Sequence, residues 1–167
     1  DPRWVGVRGA REHFASVGEH GLAIKPFDVN IKAPRPTSTL FYRQQHNTFT
    51  ATTTLYYVPR SSSDLAGLTC YQSEAFNYVF GITKCGDQTA IVLQRTARGK
   101  SVGNRLPVGL RVSAEGDKYT FSYAERGGEY KNLATVSGDI LSTNVAGGFT
   151  GAMIGLYATA ANDATCK

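Results

Sequence analysis

Tyr71, Gln72, Asn77 and Tyr78 crowd the two sides of a short polar turn, Ser73-Glu74-Ala75. A tyrosine ring offers an apolar face on which the C–H side of a sugar can stack. A carboxamide offers a fixed donor and acceptor for sugar hydroxyls. The same four residues can instead close a packed core, their polar atoms satisfied from within. Both readings are open at this level, and the choice between them decides what the chain does.

The elements that must hold these residues are strands. Ala66-Gly67-Leu68-Thr69-Cys70-Tyr71-Gln72 and Phe76-Asn77-Tyr78-Val79-Phe80-Gly81-Ile82-Thr83 are dense in aromatic and β-branched residues, with Gly67 and Gly81 as flat spots. A turn near Glu74 pairs Cys70 with Asn77 or Tyr78. The clearest alternation runs from Thr48 to Tyr57. Phe49, Ala51, Thr53, Leu55 and Tyr57 share one face; Thr48, Thr50, Thr52, Thr54 and Tyr56 share the other. That is the signature of a half-buried antiparallel strand.

Further strands are expected at Gly21–Ile24, Thr39–Gln44, Thr89–Thr96, Val108–Ala114, Lys118–Glu125 and Thr150–Ala158. Glu115-Gly116-Asp117 and Arg126-Gly127-Gly128 read as hairpin turns. Residues 33–37, with two prolines, form a loop; single helical turns are expected after Gly9, through Phe14, and at Gly138–Ser142. Strands at this spacing, without a long helical pattern, predict an all-β sandwich of one domain over residues 1–167.

Composition excludes several function classes. The net charge is +5, but the bases are scattered, and the densest window, Arg95 to Lys100, reads as a solvated turn; nucleic acid is not an expected partner. No apolar run reaches the roughly 20 residues of a membrane helix. The chain opens on Asp1-Pro2-Arg3-Trp4 and not on a leader, so any signal peptide is expected to have been removed. Cys70, Cys85 and Cys166 are an odd set without zinc spacing. Cys70 reads as a small buried hydrophobe and is not expected to bridge Cys85.

Catalysis finds no support. Most of the acids fall in turns beside Gly, Ser or Asn, where they cap the backbone, and none sits in an aromatic strand as a raised-pKa acid would. His13, His20 and His46 lie in loops near the start. No nucleophile elbow or phosphate-cradling loop is present.

A family resemblance does emerge from three groups of residues. Thr39-Leu40-Phe41-Tyr42-Arg43-Gln44-Gln45, Leu65 to Tyr71, and Phe76-Asn77-Tyr78 resemble the C-terminal β-sandwich of glycoside hydrolase family 43 β-xylosidases and arabinofuranosidases. Leu110-Arg111-Val112, Phe121-Ser122-Tyr123 and Phe149 to Tyr157 continue the match in the same order, so it runs from about Trp4 to Asn162. The resemblance implies a two-sheet antiparallel jelly roll, concanavalin A-like. It implies a place beside a five-bladed catalytic propeller that is absent here, and xylan-type polysaccharide or oligosaccharide as ligand. A secreted or periplasmic location follows from such a substrate.

Some family members lend an aromatic residue to the active-site rim from a loop beside the segment matching Leu40-Phe41, where this chain is shorter. The family's closing strand has no counterpart after Asn162. Arg43 and Gln45 come from the strand the family places near the hairpin, and Tyr56 stands on a hydroxylated face. With Tyr71, Gln72, Asn77 and Tyr78 they make up the expected carbohydrate site.

Each of these also has a structural reading: Tyr71 and Tyr78 as core, Arg43 in a salt bridge or domain interface, Trp4 as an N-terminal anchor. No cofactor is required. Calcium is common in jelly rolls, with Asp28, Asp139 and Asp163 as candidate ligands, but no spacing picks out a site. The leading reading is a non-catalytic accessory module that binds xylan or xylo-oligosaccharide by stacking and polar contacts, lost on Tyr78→Ala without unfolding. The alternative is a purely structural domain that packs on the propeller and completes its rim. A self-sufficient lectin or hydrolase comes third.

Overall fold

Short segments of alternating or wholly apolar residues, broken by Gly, Pro and Asp, form strands and turns through almost all of the chain. The computed structural model describes residues 1–97, 109–124, 128–148 and 151–163. The strands among them are β1 (Val5–Gly6), β2 (Ala15–Gly18), β3 (Gly21–Ile24), β4 (Ser38–Arg43), β5 (Thr48–Thr54) and β6 (Leu65–Ser73). They continue with β7 (Phe76–Cys85), β8 (Gln88–Ala97), β9 (Gly109–Glu115), β10 (Lys118–Ala124), β11 (Lys131–Ser137) and β12 (Met153–Thr159). Single 3-10 turns occur at Arg11–His13 and Asp139–Leu141, and a one-turn helix, α1, at Thr143–Ala146.

Two antiparallel sheets carry the fold: a six-stranded one in the order β1-β4-β12-β6-β7-β8 and a four-stranded one in the order β11-β10-β9-β5. A separate β2–β3 hairpin stands beside them. Leu68, Cys70, Tyr78, Phe80 and Ile91 from the larger sheet meet Leu110, Val112, Tyr119 and Phe121 from the smaller. This is the all-β two-sheet sandwich that the residues predict.

The larger sheet is buried on both faces. Its outer side carries Phe41, Leu65, Tyr71, Val79, Val92 and Tyr157, covered by Ile31 and Val7. The cover is tied down by the Ile31 N–H donating to Tyr157 Oη at 2.8 Å, and burial pushes the Tyr157 phenol up to about 12. Double burial explains why β6 and β7 read as nearly unbroken apolar runs while β5 alternates.

Register matches expectation at the central hairpin, where Cys70 faces Tyr78 and Tyr71 faces Asn77. Gly67 pairs with Gly81 in the same ladder. Three strands were not anticipated. β1 has two residues, and β2 is so exposed that it has no buried face to imprint a period, whereas its partner β3 is the strand expected at Gly21–Ile24. In β11 a bulge opposite Phe121/Ser122 breaks the alternation. The basic window expected as a turn is strand as far as Ala97, and its remainder lies outside the described residues, as do Arg126, Gly127 and Cys166.

The β5–β6 connection closes one end of the sandwich through Asp64. This buried carboxylate accepts hydrogen bonds from the Arg60 backbone N–H (2.9 Å) and Arg60 Nε (3.2 Å). Burial alone would raise its pKa, but the bonds from Arg60, its positive charge and the Ser61 backbone outweigh that and hold the group below its ordinary value. A carboxylate lowered in the folded state stabilises the protein above its unfolded pKa, and that stabilisation is lost as pH falls through the folded value. Urea unfolding between pH 7 and pH 3 is therefore expected to show a stability loss on acidification that is shallower in Asp64→Asn, which is less stable at pH 7. Parallel pH profiles for the two proteins would refute this role.

Candidate functional site

The bend between β6 and β7 places the four hairpin residues inside the protein. Tyr71 and Tyr78 point to opposite faces of the six-stranded sheet, because one faces Asn77 and the other faces Cys70 across the ladder. Tyr71 packs on Phe41 with ring centroids 5.0 Å apart, in the outer core layer. Tyr78 is 1% exposed, lies 5.5 Å from the Phe121 ring, and donates its hydroxyl to the Ser137 carbonyl at 2.9 Å. Burial pushes both phenols up, with Arg8 opposing it at Tyr71 and Arg95 at Tyr78.

The two amides are structural as well. Asn77 Nδ2 donates to the Ser73 and Glu74 carbonyls, both at 3.1 Å, and so holds the turn closed. Gln72 Nε2 donates to the Gly147 carbonyl at 3.0 Å. Opposed directions and burial leave these four residues no shared surface on which a sugar could lie, and this corrects the expected platform.

Arg43 and Gln45 reach a different place. They leave the end of β4 and line a groove of about 510 Å³ between β4, β12 and β5. Phe49, Ala51, Leu68, Ile154 and Leu156 supply its apolar floor. Trp4 and Tyr42 form one wall, their rings edge to face at 5.6 Å, with Arg3 over the Tyr42 ring and bonded to its hydroxyl. Gln44 steadies the neighbouring rim: its Oε1 accepts from Tyr119 Oη at 2.7 Å and its Nε2 donates to the His46 carbonyl at 3.0 Å. Burial pushes the Tyr119 phenol up to about 12.

Tyr42 was not singled out from sequence. The signal that marks it is parity: Phe41 points to the outer core, so its neighbour points the other way, toward the open side of the sandwich. Tyr56 is 86% exposed and outside the groove lining. The site expected as one cluster is thus split three ways: a buried hairpin, a groove and an exposed ring.

Several of the acids have structural partners. Glu74 pairs with Arg8, Asp163 with Lys32 and Asn30, and Asp139 Oδ1 accepts the Ile140 N–H. Among the described residues no three His, Cys, Asp or Glu side chains come together to hold a metal ion. Cys70 is free and buried, and burial pushes its thiol far up, so it is not a nucleophile. Cys85 is disulfide-bonded, and Cys70 and Cys85 are not bridged to each other.

Comparison with known proteins places this geometry. The family described as "Beta xylosidase C-terminal Concanavalin A-like domain" matches residues 1–167. A crystal structure of a family 43, subfamily 12 protein from a capybara gut metagenome shares 39% identity and superposes with a TM-score of 0.86, over 95% of this chain and 32% of that one. The Bacteroides ovatus non-reducing end alpha-L-arabinofuranosidase BoGH43B is 28% identical over 93% of this chain and 31% of its own length. The structure of a Bacteroides ovatus xyloglucan-locus family 43 protein is 26% identical with a TM-score of 0.87, over 96% and 33% of the two chains. The chain therefore spans about a third of the length of the proteins it matches. This two-sheet sandwich, matched along its whole length, belongs to the concanavalin A-like C-terminal domain family of the family 43 glycoside hydrolases, their non-catalytic accessory module.

Proposed function

We propose that this domain packs against the catalytic domain of a family 43 enzyme and seats part of that partner in the Trp4–Tyr42–Arg43 groove. The observation that carries the reading is the groove itself, an apolar floor rimmed by polar side chains that none of the described residues fills. Grooves of that make-up are filled in assemblies by aromatic or aliphatic anchors from a partner. The uncovered β2–β3 hairpin, where exposed Val17 faces Leu22 across the ladder, adds surface of the same kind. The role asks for no cofactor.

A second reading has its own support. Arg43 and Gln45 stand with the Tyr42 and Trp4 rings at one groove, the mixture a sugar site requires. Relatives named for arabinofuranosidase activity and for xyloglucan make a xylan- or xyloglucan-type hemicellulose the ligand class. Such polymers are met outside the cytoplasm, and a disulfide at Cys85 agrees with a secreted or periplasmic protein.

One pair of titrations separates the readings. The structural reading expects the chain to bind a separately produced family 43 catalytic domain, weakened about tenfold or more by Tyr42→Ala, with flat calorimetric traces for xylohexaose and arabino-oligosaccharide. A saturable sugar signal that Tyr42→Ala abolishes, with no association of the domains, would replace it with the carbohydrate reading.

A further inference from the structure

β5 is an edge strand and both its faces border the groove, one through Phe49, Ala51 and Thr53, the other through Thr50 and Thr52. The latter face opens onto an outer sheet surface made largely of hydroxyls. Register sets Thr50 beside Ser113, Ser113 beside Thr120, and Thr120 beside Thr135; the next row is Thr52, Arg111, Ser122 and Asn132. Cross-strand hydrogen bonds, Thr50 to Ser113 at 3.4 Å and Thr120 to Thr135 at 3.0 Å, hold these groups in place, and within β11 Asn132 Nδ2 donates to Thr135 Oγ1 at 3.3 Å. A hydroxyl engaged once retains further accepting capacity, so Thr50, Thr52, Ser113, Thr120 and Thr135, with Asn132, remain able to bind, while Ser122 is buried.

An aromatic ring is fixed on this same face. Arg111 Cζ lies 3.5 Å from the Tyr130 ring centroid, and Tyr130 Oη lies over Gly109, where a Cβ would stand 3.5 Å away. The ring is thereby laid along the sheet on a guanidinium cushion, half-buried with part of its surface open. Arg111 Nε is buried beneath it with no hydrogen-bond partner. An orphaned buried donor costs stability, and here it accompanies the positioning of one ring. Exposed Tyr56 emerges two residues beyond Thr54, which pairs with Gly109 at that same end of the sheet.

The chemistry of the face selects its ligand. In these two rows the single formal charge is Arg111, covered by Tyr130; in the adjoining row Glu115 and Lys118 oppose each other across strands. A nucleic-acid surface would need clustered cations, and a protein interface an apolar centre. Rows of hydroxyls and an amide beside a pinned ring match a neutral, hydroxyl-rich chain. We propose that this face binds an uncharged polysaccharide, one sugar stacking on Tyr130 and its neighbours hydrogen-bonding to the Thr50–Thr135 and Thr52–Asn132 rows. The two sites meet at Thr50 and Thr52, which border the groove, whereas Tyr130 and the row members on β9, β10 and β11 do not line it.

Native affinity electrophoresis of the chain through gels containing arabinoxylan, xyloglucan or, as the charged control, polygalacturonate tests it. Retardation by arabinoxylan or xyloglucan is expected, and the gel that retards it names the source. Tyr130→Ala is expected to weaken retardation about tenfold, the loss of one stacking contact. Tyr130→Phe is expected to stay within about twofold of wild type. Ser113→Glu places a charge among the hydroxyls and is expected to abolish retardation at an unchanged melting temperature. No retardation of the wild type by either neutral polymer, or equal retardation of wild type, Tyr130→Ala and Ser113→Glu, overturns the proposal. Association with the catalytic domain is a separate readout and reports on the groove alone.

Discussion

Tyr78→Ala is expected to lower the stability of this domain by about 3–5 kcal/mol, the cost of emptying a filled aromatic site in a core that relaxes only in part. Tyr78 is among the largest fully buried side chains, enclosed by Phe121 and the rest of the layer between the sheets. Its hydroxyl is a second contribution, since it donates to the Ser137 carbonyl and links the central hairpin to the end of β11. Tyr78→Phe separates the two and is expected to cost about 1 kcal/mol, one hydrogen bond with a partner left unsatisfied. Denaturant unfolding measures both. Near wild-type stability for Tyr78→Ala would sink the core assignment and return the ring to the surface. The result bears directly on function, because loss of sugar binding in that variant would report unfolding and not a lost contact.

Gly67→Val is expected to lower the folded population severely as well. A Cβ on Gly67 would stand 2.1 Å from the Phe80 carbonyl oxygen and 2.4 Å from Gly81 Cα. Both are backbone atoms, so no side-chain rotation relieves the clash. Gly67 lies between β7 and β12, paired to Gly81 on one side and Tyr157 on the other, so neither neighbour can move without opening a ladder. Overpacking a well-filled core costs about 1–3 kcal/mol, and a clash against fixed backbone lies at or above the top of that range. Gly18→Ala is the control: nothing lies within 4 Å of its added Cβ, and a change within about 0.5 kcal/mol is expected. Thermal unfolding followed by circular dichroism checks the pair. Equal melting temperatures for Gly67→Val and Gly18→Ala would mean that the strands are not so closely apposed.

Legibility followed burial. The β9–β10 hairpin and β5 could be read directly, since each has one face in the core and one in water and so alternates. β2 could not, because exposure on both sides imposes no period, although its partner β3 was expected at Gly21–Ile24. At β11 the pattern was present but interrupted, the bulge bringing both Leu133 and Ala134 into half-buried positions. The candidate site was less legible than the fold. An aromatic-rich hairpin reads the same whether its outer face is bare or covered, and the cover on Tyr71 comes from Ile31 and Val7, far away in sequence.

The amino-acid sequence by itself determined the class of fold, the pairing of the central hairpin and the family. These depend on local alternation, turn chemistry and residue order, which the chain carries from one neighbour to the next. The tertiary structure alone decided which polar and aromatic groups meet water. It turned Tyr71 and Tyr78 to opposite, covered faces, brought Trp4 to Tyr42, and aligned hydroxyls from β5, β9, β10 and β11 around Tyr130. Those outcomes rest on contacts between segments distant in sequence, and a residue's own surroundings in the chain do not record whether another segment will be laid over it.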